Sequence, residues 1–233
     1  MGDRAETIVV VGTGTGVGKT HVSCALLAAA RMSGGVCVGL KPIETGVGLG
    51  VSDGERLRSH GTMFHVKRPA PYLFEPAISP HRAAREAGAR IEPEMVRAYV
   101  AATRPAGATA LVETAGGLFS PLGHGLTNFD IVRALEPCRV VLVAADRLGV
   151  LHDVAATMGL AEARGRRPDV VVLSSPESPD PSTGTNACEL ASLGLAEVAA
   201  VFPRAEPEDP ASVEAARRVW EALTVATAGA QVP

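Results

Sequence analysis

Residues 12–20 read Gly-Thr-Gly-Thr-Gly-Val-Gly-Lys-Thr, a set of residue types suited to holding phosphate. They follow an apolar run, Ile8 to Val11, and precede a stretch of helical periodicity. Gly12, Gly14, Gly16 and Gly18 permit positive φ and close approach of the backbone to a ligand. Successive N–H groups in such a loop can face inward as an anion nest. A helix beginning near Lys19 turns its positive dipole end to the same point. Lys19 supplies a charge for the β- and γ-phosphates, and the Thr20 hydroxyl is placed to ligate Mg²⁺. The pattern is a variant of GxxxxGK[ST], because Thr13 stands at the first glycine position and the glycine comes one residue earlier. A ligand-free glycine turn is the competing reading. Gly-Lys-Thr at a helix start, directly behind a buried first strand, favours a nucleotide. Thr13, Gly14, Thr15, Gly16, Val17, Gly18, Lys19 and Thr20 are therefore the expected nucleotide-binding run.

Three further residues could join that chemistry. Glu113 closes the apolar stretch ATALVE, and open parallel sheets bind ligands at the carboxyl ends of their strands. A surface carboxylate at a strand end is its bland alternative. Lys41 ends a second apolar stretch, where a lysine reaches the crevice; a snorkelling surface lysine is the commoner fate. Asp53, between Ser52 and Gly54, reads on its own as a turn residue or helix cap. His60, His65 and His124 lack a partner at zinc spacing, and His81, after Pro80, reads as structural. No Ser-His-Asp or Cys-His arrangement is visible.

The elements that must position these groups are legible as apolar runs. Strands are expected at 8–11, 36–42, 108–113, 139–145 and 169–174, with a weaker sixth at 198–203. A helix follows the glycine loop and stops at Gly34-Gly35; other amphipathic stretches lie at 80–104 in pieces, 129–135, 149–164 and 209–226. Strands apolar throughout are covered on both faces. The alternation implies an α/β fold: a single-domain, doubly wound, mostly parallel sheet with P-loop NTPase-type topology. Glu177 to Thr185 is the most loop-like segment, and the tail ATAGAQVP is expected to fray.

Composition narrows the partners. A net charge of −3 without long basic runs speaks against nucleic acid or an anionic membrane, and 3% aromatic residues against base-stacking surfaces. The N-terminus shows no signal peptide and no stretch is long and apolar enough to span a bilayer, so the expected location is the cytoplasm. Cys24, Cys37, Cys138 and Cys188 form no CxxC and are expected to be reduced and buried.

An ordered set of motifs resembles the dethiobiotin synthetase family: KPIETG (41–46), SDGERL (52–57), EPAISPHRAA (75–84), VETAGGLFSPL (112–122) and VAADRLGVLHD (143–153). The resemblance covers about residues 7–175. It implies closure of a cyclic urea from 7,8-diaminononanoate and CO₂, with ATP as co-substrate and Mg²⁺, through a carbamate and a carbamic-phosphoric anhydride. By this resemblance Thr20, Asp53 and Glu113 ligate the metal, and Lys41 and Lys19 are catalytic. Thr45 and Lys41 contact the substrate. The helix start Gly149, Val150, Leu151, His152 takes the substrate carboxylate across a homodimer interface. Ser174, Ser175 and Pro203 fall at the nucleotide base.

The chain departs from the family pattern at four places. Gly14 stands where an acid is common, Thr114 replaces a glycine, His152 an asparagine, and Ser174-Ser175 the usual Asn-Asp. The last implies weaker base discrimination, since an amide donates and accepts at once and a hydroxyl matches adenine less well. A ParA/MinD-like ATPase switch is the alternative, but its signature lysine position holds Gly14. A cobyrinate-type synthetase would need a glutaminase domain for which the chain has no room. A degenerate nucleotide module would not retain Lys19, Thr20, Lys41, Asp53 and Glu113.

Overall fold

The structure is a computed structural model describing residues 6–48, 50–62 and 69–228, with side chains to 225. His65 and residues 229–233 of the tail lie outside the described residues. Six strands make the main sheet: β1 (Thr7–Gly12), β2 (Cys37–Leu40), β5 (Thr109–Gly117), β8 (Arg139–Ala145), β9 (Val170–Ser174) and β10 (Val198–Phe202). Their order is β10-β9-β8-β1-β5-β2, and every pairing is parallel. Two small sheets sit outside it: β3 (Ile43–Thr45) with β4 (Tyr72–Phe74), and the hairpin β6 (Pro121–Gly123) with β7 (Leu126–Thr127).

Side-chain alternation along each strand divides the apolar residues between two cores. Val9, Val11, Val112, Leu142 and Leu173 face one layer: α3 (Pro80–Glu86), α4 (Pro93–Thr103), α5 (Asn128–Ala134), α6 (Val150–Ala163) and α7 (Asn186–Ser192). Ile8, Val10, Leu111, Val143 and Phe202 face the other: α1 (Lys19–Met32), α2 (Asp53–His60) and α8 (Pro210–Ala228). Burial on both faces is why these strands carry no polar alternation. β1 lies inside the sheet with β5 on one side and β8 on the other, so the loop leaving β1 opens at the point where the winding reverses.

Several expectations need correction. The second strand stops at Leu40; Lys41 and Pro42 leave the sheet, because the next segment pairs with β4 instead. Glu113 does not end a strand: β5 continues to Gly117. What ends there is regular pairing with β1, which runs to Val10–Glu113 and resumes only at Gly12–Gly117. Thr114 is buried within this strand, where a β-branched residue fits, and its hydroxyl donates to the Val10 carbonyl at 3.2 Å. Asp53 is not the cap of α2; Ser52 is, in a reciprocal capping box with Glu55. Of the four free thiols, Cys24 and Cys37 are buried and Cys138 partly so, but Cys188 is exposed.

Candidate nucleotide and metal site

The glycine loop bridges β1 and α1. Thr13 N–H donates to the Val143 carbonyl at 3.0 Å and Leu118 N–H to the Gly12 carbonyl at 2.7 Å, which pins the loop to both neighbouring strands. Gly18 caps α1 at φ 91°, and a Cβ there would stand 2.2 Å from Ser174 Oγ. No side chain caps α1 and its first turn holds no acid, so its leading N–H groups are left to an anion.

Behind the loop lies a compact charge cluster. Glu113 is wholly buried. Its Oε1 accepts from the Thr20 hydroxyl at 2.9 Å and the Lys41 ammonium at 2.6 Å; its Oε2 accepts from the Ser23 hydroxyl at 2.8 Å. The Lys41 ammonium also pairs with the Asp53 carboxylate. Burial works against a charged Lys41, but Glu113 and Asp53 together outweigh it and hold its pKa above the usual lysine value. Burial likewise opposes ionised Asp53, and Lys41, helped by a Thr20 hydrogen bond, more than reverses that. Lys19 goes the other way. Burial is its largest influence and, despite Glu113, brings the ammonium down to about 8; it donates to the Gly14 carbonyl at 2.9 Å.

Asp53 and Glu113 thus meet on one ammonium and the Thr20 hydroxyl reaches Glu113, so that three oxygen-bearing side chains from three elements come together. An all-oxygen set with two carboxylates suits Mg²⁺, which takes its other ligands from phosphate and water. Among the described residues no cluster of three or more His, Cys, Asp or Glu could cage a metal by itself.

A cleft of about 1040 Å³ runs from this cluster along the sheet edge. Gly16, Val17, Gly18, Thr20, Asp53, Ser174 and Ser175 line it together. Ser174 is buried against Gly18, so of the two serines Ser175 is the more open to a base. Pro203 is not in the lining; its carbonyl is taken by His21 Nε2 at 2.9 Å. Thr45 sits in β3, three places along from Pro42 and half-buried. Gly149, Val150, Leu151 and His152 do not line the cleft. Gly149 caps α6 at φ 96°, and His152 is exposed. Asp180 accepts from Leu148 N–H at 2.8 Å and Arg147 carbonyl from Val150 N–H at 3.1 Å, while the N–H groups of Leu151 and His152 have no partner among the described residues.

Two residues of the cluster escape a reading of the sequence. Ser23 follows Thr20 by one helical step, so both hydroxyls share a face of α1; that spacing is a usable signal. Glu44 is 6% exposed and accepts from Asp53 N–H at 2.6 Å and Gly54 N–H at 3.2 Å. Burial lifts its pKa, partly offset by Lys41 and these two donors.

Comparison with known proteins follows the same lines. A family described as an AAA domain matches residues 6–212. The chain is 39% identical over 200 residues to the ATP-dependent dethiobiotin synthetase BioD of Anaeromyxobacter dehalogenans (strain 2CP-C), covering 84% of this chain and 89% of the relative. It is 37% identical over 180 residues to the protein of that name from Caulobacter sp. (strain K31), covering 74% and 78%. Among solved structures, the septum site-determining protein MinD complexed with Mg-ADP from Pyrococcus horikoshii OT3 superposes with a TM-score of 0.58 at 15% identity, covering 96% of this chain and 99% of that one. The MinC:MinD cell division complex of Aquifex aeolicus gives 0.56 at 18% identity, covering 93% and 96%. At such identities the likeness speaks to the fold, an α/β arrangement shared with P-loop nucleotide-binding proteins.

Proposed function

Because the chain belongs to the dethiobiotin synthetase family, we propose that it closes the cyclic urea of dethiobiotin from 7,8-diaminononanoate and CO₂ at the expense of ATP. It is an ATP-dependent ligase. The observation that carries the reading into this chain is the meeting of Thr20, Lys41, Asp53 and Glu113 beside the glycine loop.

One amine of the diamine bonds to CO₂ and loses a proton, giving a carbamate. A carbamate oxygen then bonds to the γ-phosphorus as the bond to the bridging β-oxygen breaks, and ADP departs. The second amine attacks the carbamoyl carbon, the bond to the phosphate oxygen breaks, and the ring closes with loss of a proton and release of phosphate. Such transfers need alignment and charge neutralisation more than covalent help. Lys19 and the α1 amides take the β- and γ-phosphates. Lys41 leaves its carboxylates for the γ-phosphate and the carbamate. Thr20, Asp53 and Glu113 are the residues that would hold Mg²⁺, whose charge offsets that of the phosphates. Thr45 lies on the segment leading from Lys41 and is assigned to the substrate.

The amides of Leu151 and His152 are assigned to the substrate carboxylate of a second copy, in a homodimer. Leu148, 78% exposed beside that helix start, supplies apolar surface for the contact. A cytoplasmic site of action goes with this reading, and no helix among the described residues is long and apolar enough to cross a membrane.

Phosphate release is the direct test. It should require both the diamine and bicarbonate; release indifferent to the diamine overturns the assignment. The same assay run with ATP, CTP, GTP and UTP tests the base site. With Ser174 in place of an amide, the other triphosphates should fall within roughly tenfold of ATP, the worth of about one hydrogen bond. An exclusive preference for ATP would refute relaxed base reading.

A further inference from the structure

Glu44 has no part in the reaction as written above, yet it is a buried carboxylate bonded to the backbone of one of the charge cluster's acids, Asp53. Buried carboxylates persist only where partners compensate them. Among the described residues Glu44 forms no ion pair; its two oxygens accept instead from the N–H groups of Asp53 and Gly54. These are the first two amides of α2, donors that every helix leaves without an internal partner. A negative charge there also meets the positive end of the helix. The usual cap is already in place, since Ser52 accepts from Glu55 N–H and Glu55 from Ser52 N–H. Glu44 therefore adds a second hold on the same turn, from outside the helix. Gly54 makes room for it: a Cβ at that position would lie 3.1 Å from Glu44 Oε2.

The two ends of this clamp matter to the site. Glu44 stands three residues from Lys41 on one continuous segment, and the first amide it binds belongs to Asp53, whose carboxylate pairs with Lys41. We infer that Glu44 is a positioning residue: its carboxylate fixes the first turn of α2 and so holds the Asp53 carboxylate in register with Lys41 and Glu113. The inference rests on the assignment of Asp53 to the metal.

Its test is Mn²⁺ binding, read by electron paramagnetic resonance on protein loaded with a non-hydrolysable ATP analogue, in E44Q, D53N and the double variant. Glutamine keeps the shape but brings an amide NH₂ against a backbone N–H. E44Q should weaken Mn²⁺ about tenfold, the scale of outer-shell changes at metal sites, with metal-free nucleotide affinity unchanged. Because Glu44 acts through Asp53, the double variant should bind no more weakly than D53N. If D53N weakens the metal and E44Q does not, the inference about Glu44 fails and the metal assignment stands. If neither does, the assignment of Asp53 fails. Multiplying effects would mean that Glu44 works independently of Asp53 and would overturn the inference. Should E44Q not fold, E44D is read in the same titration; its shorter reach should weaken Mn²⁺ by about half as many orders of magnitude, and wild-type binding would refute the role.

Discussion

Lys41→Ala is expected to lower the rate of ring closure by roughly 10³-fold or more while nucleotide still binds, the scale of losing one preorganised charge at a developing anion. The effect belongs on kcat. The glycine loop, Lys19 and the α1 amides assigned to the triphosphate are built without Lys41. The ammonium lies instead between Asp53 and Glu113, at 2.6 Å from the latter. Its loss has a second consequence. Glu113 is wholly buried, and leaving it facing Asp53 without a cation should cost about 3–5 kcal/mol, the range for breaking a buried pair. That cost has a signature of its own, because a divalent cation can replace the missing charge. Added Mg²⁺ should therefore raise the Tm of the variant far more than that of the unaltered protein. Single-turnover phosphate release and thermal unfolding with and without Mg²⁺ separate the two effects. Unchanged turnover would refute the catalytic role, and a Tm indifferent to Mg²⁺ would refute the picture of a cation held by the two acids.

Which parts of this site were legible in the sequence follows from how far each signal reaches. The strands of the main sheet announce themselves because burial on both faces keeps long runs of them apolar, as in Ile8-Val9-Val10-Val11, while β10, with Val201 exposed, gives the weakest signal. The loop is legible because its chemistry is local: Lys19 and Thr20 lie on the element whose backbone is assigned to the phosphate. α2 is different. Only Gly54 and Leu57 of its eight residues are buried, so it has no apolar stripe to detect. The spacing of Ser52 and Glu55 is its sole local signature. The paired strands β3 and β4 have three residues each, too few for periodicity to register. Glu44 shows the limit most plainly. Within Ile43-Glu44-Thr45 it looks like a solvated residue of a turn, and its partners lie nine and ten residues on, in a helix that the pattern does not reveal. Asp53 came to the site only through family resemblance; the fold supplies the physical reason, which is Lys41.

Gly18→Ala should abolish useful nucleotide binding, raising Kd at least about 100-fold, or roughly 2.7 kcal/mol. Two costs act at once. Alanine at φ 91° meets the left-handed penalty of about 1–2 kcal/mol, because Cβ crowds the following carbonyl. The new Cβ would also stand 2.2 Å from Ser174 Oγ and 2.7 Å from Ser174 Cβ, distances no rotamer change absorbs in full. Ser174 cannot retreat easily. It ends β9, and its carbonyl accepts from Asp146 N–H at 2.9 Å, while Asp146 is itself buried and held by Asn186. The strain must then go into the start of α1, which carries Lys19 and Thr20, and with them the 2.9 Å contact from Thr20 to Glu113. Ser174→Gly in the same chain removes the clash but not the φ penalty. The double variant G18A/S174G should therefore recover part, and only part, of both Tm and affinity, as read by calorimetric titration with ATP and by thermal unfolding. Wild-type binding in G18A would sink the argument outright. No recovery in the double variant would mean that backbone geometry alone, and not contact with the serine, makes glycine necessary at the head of this helix.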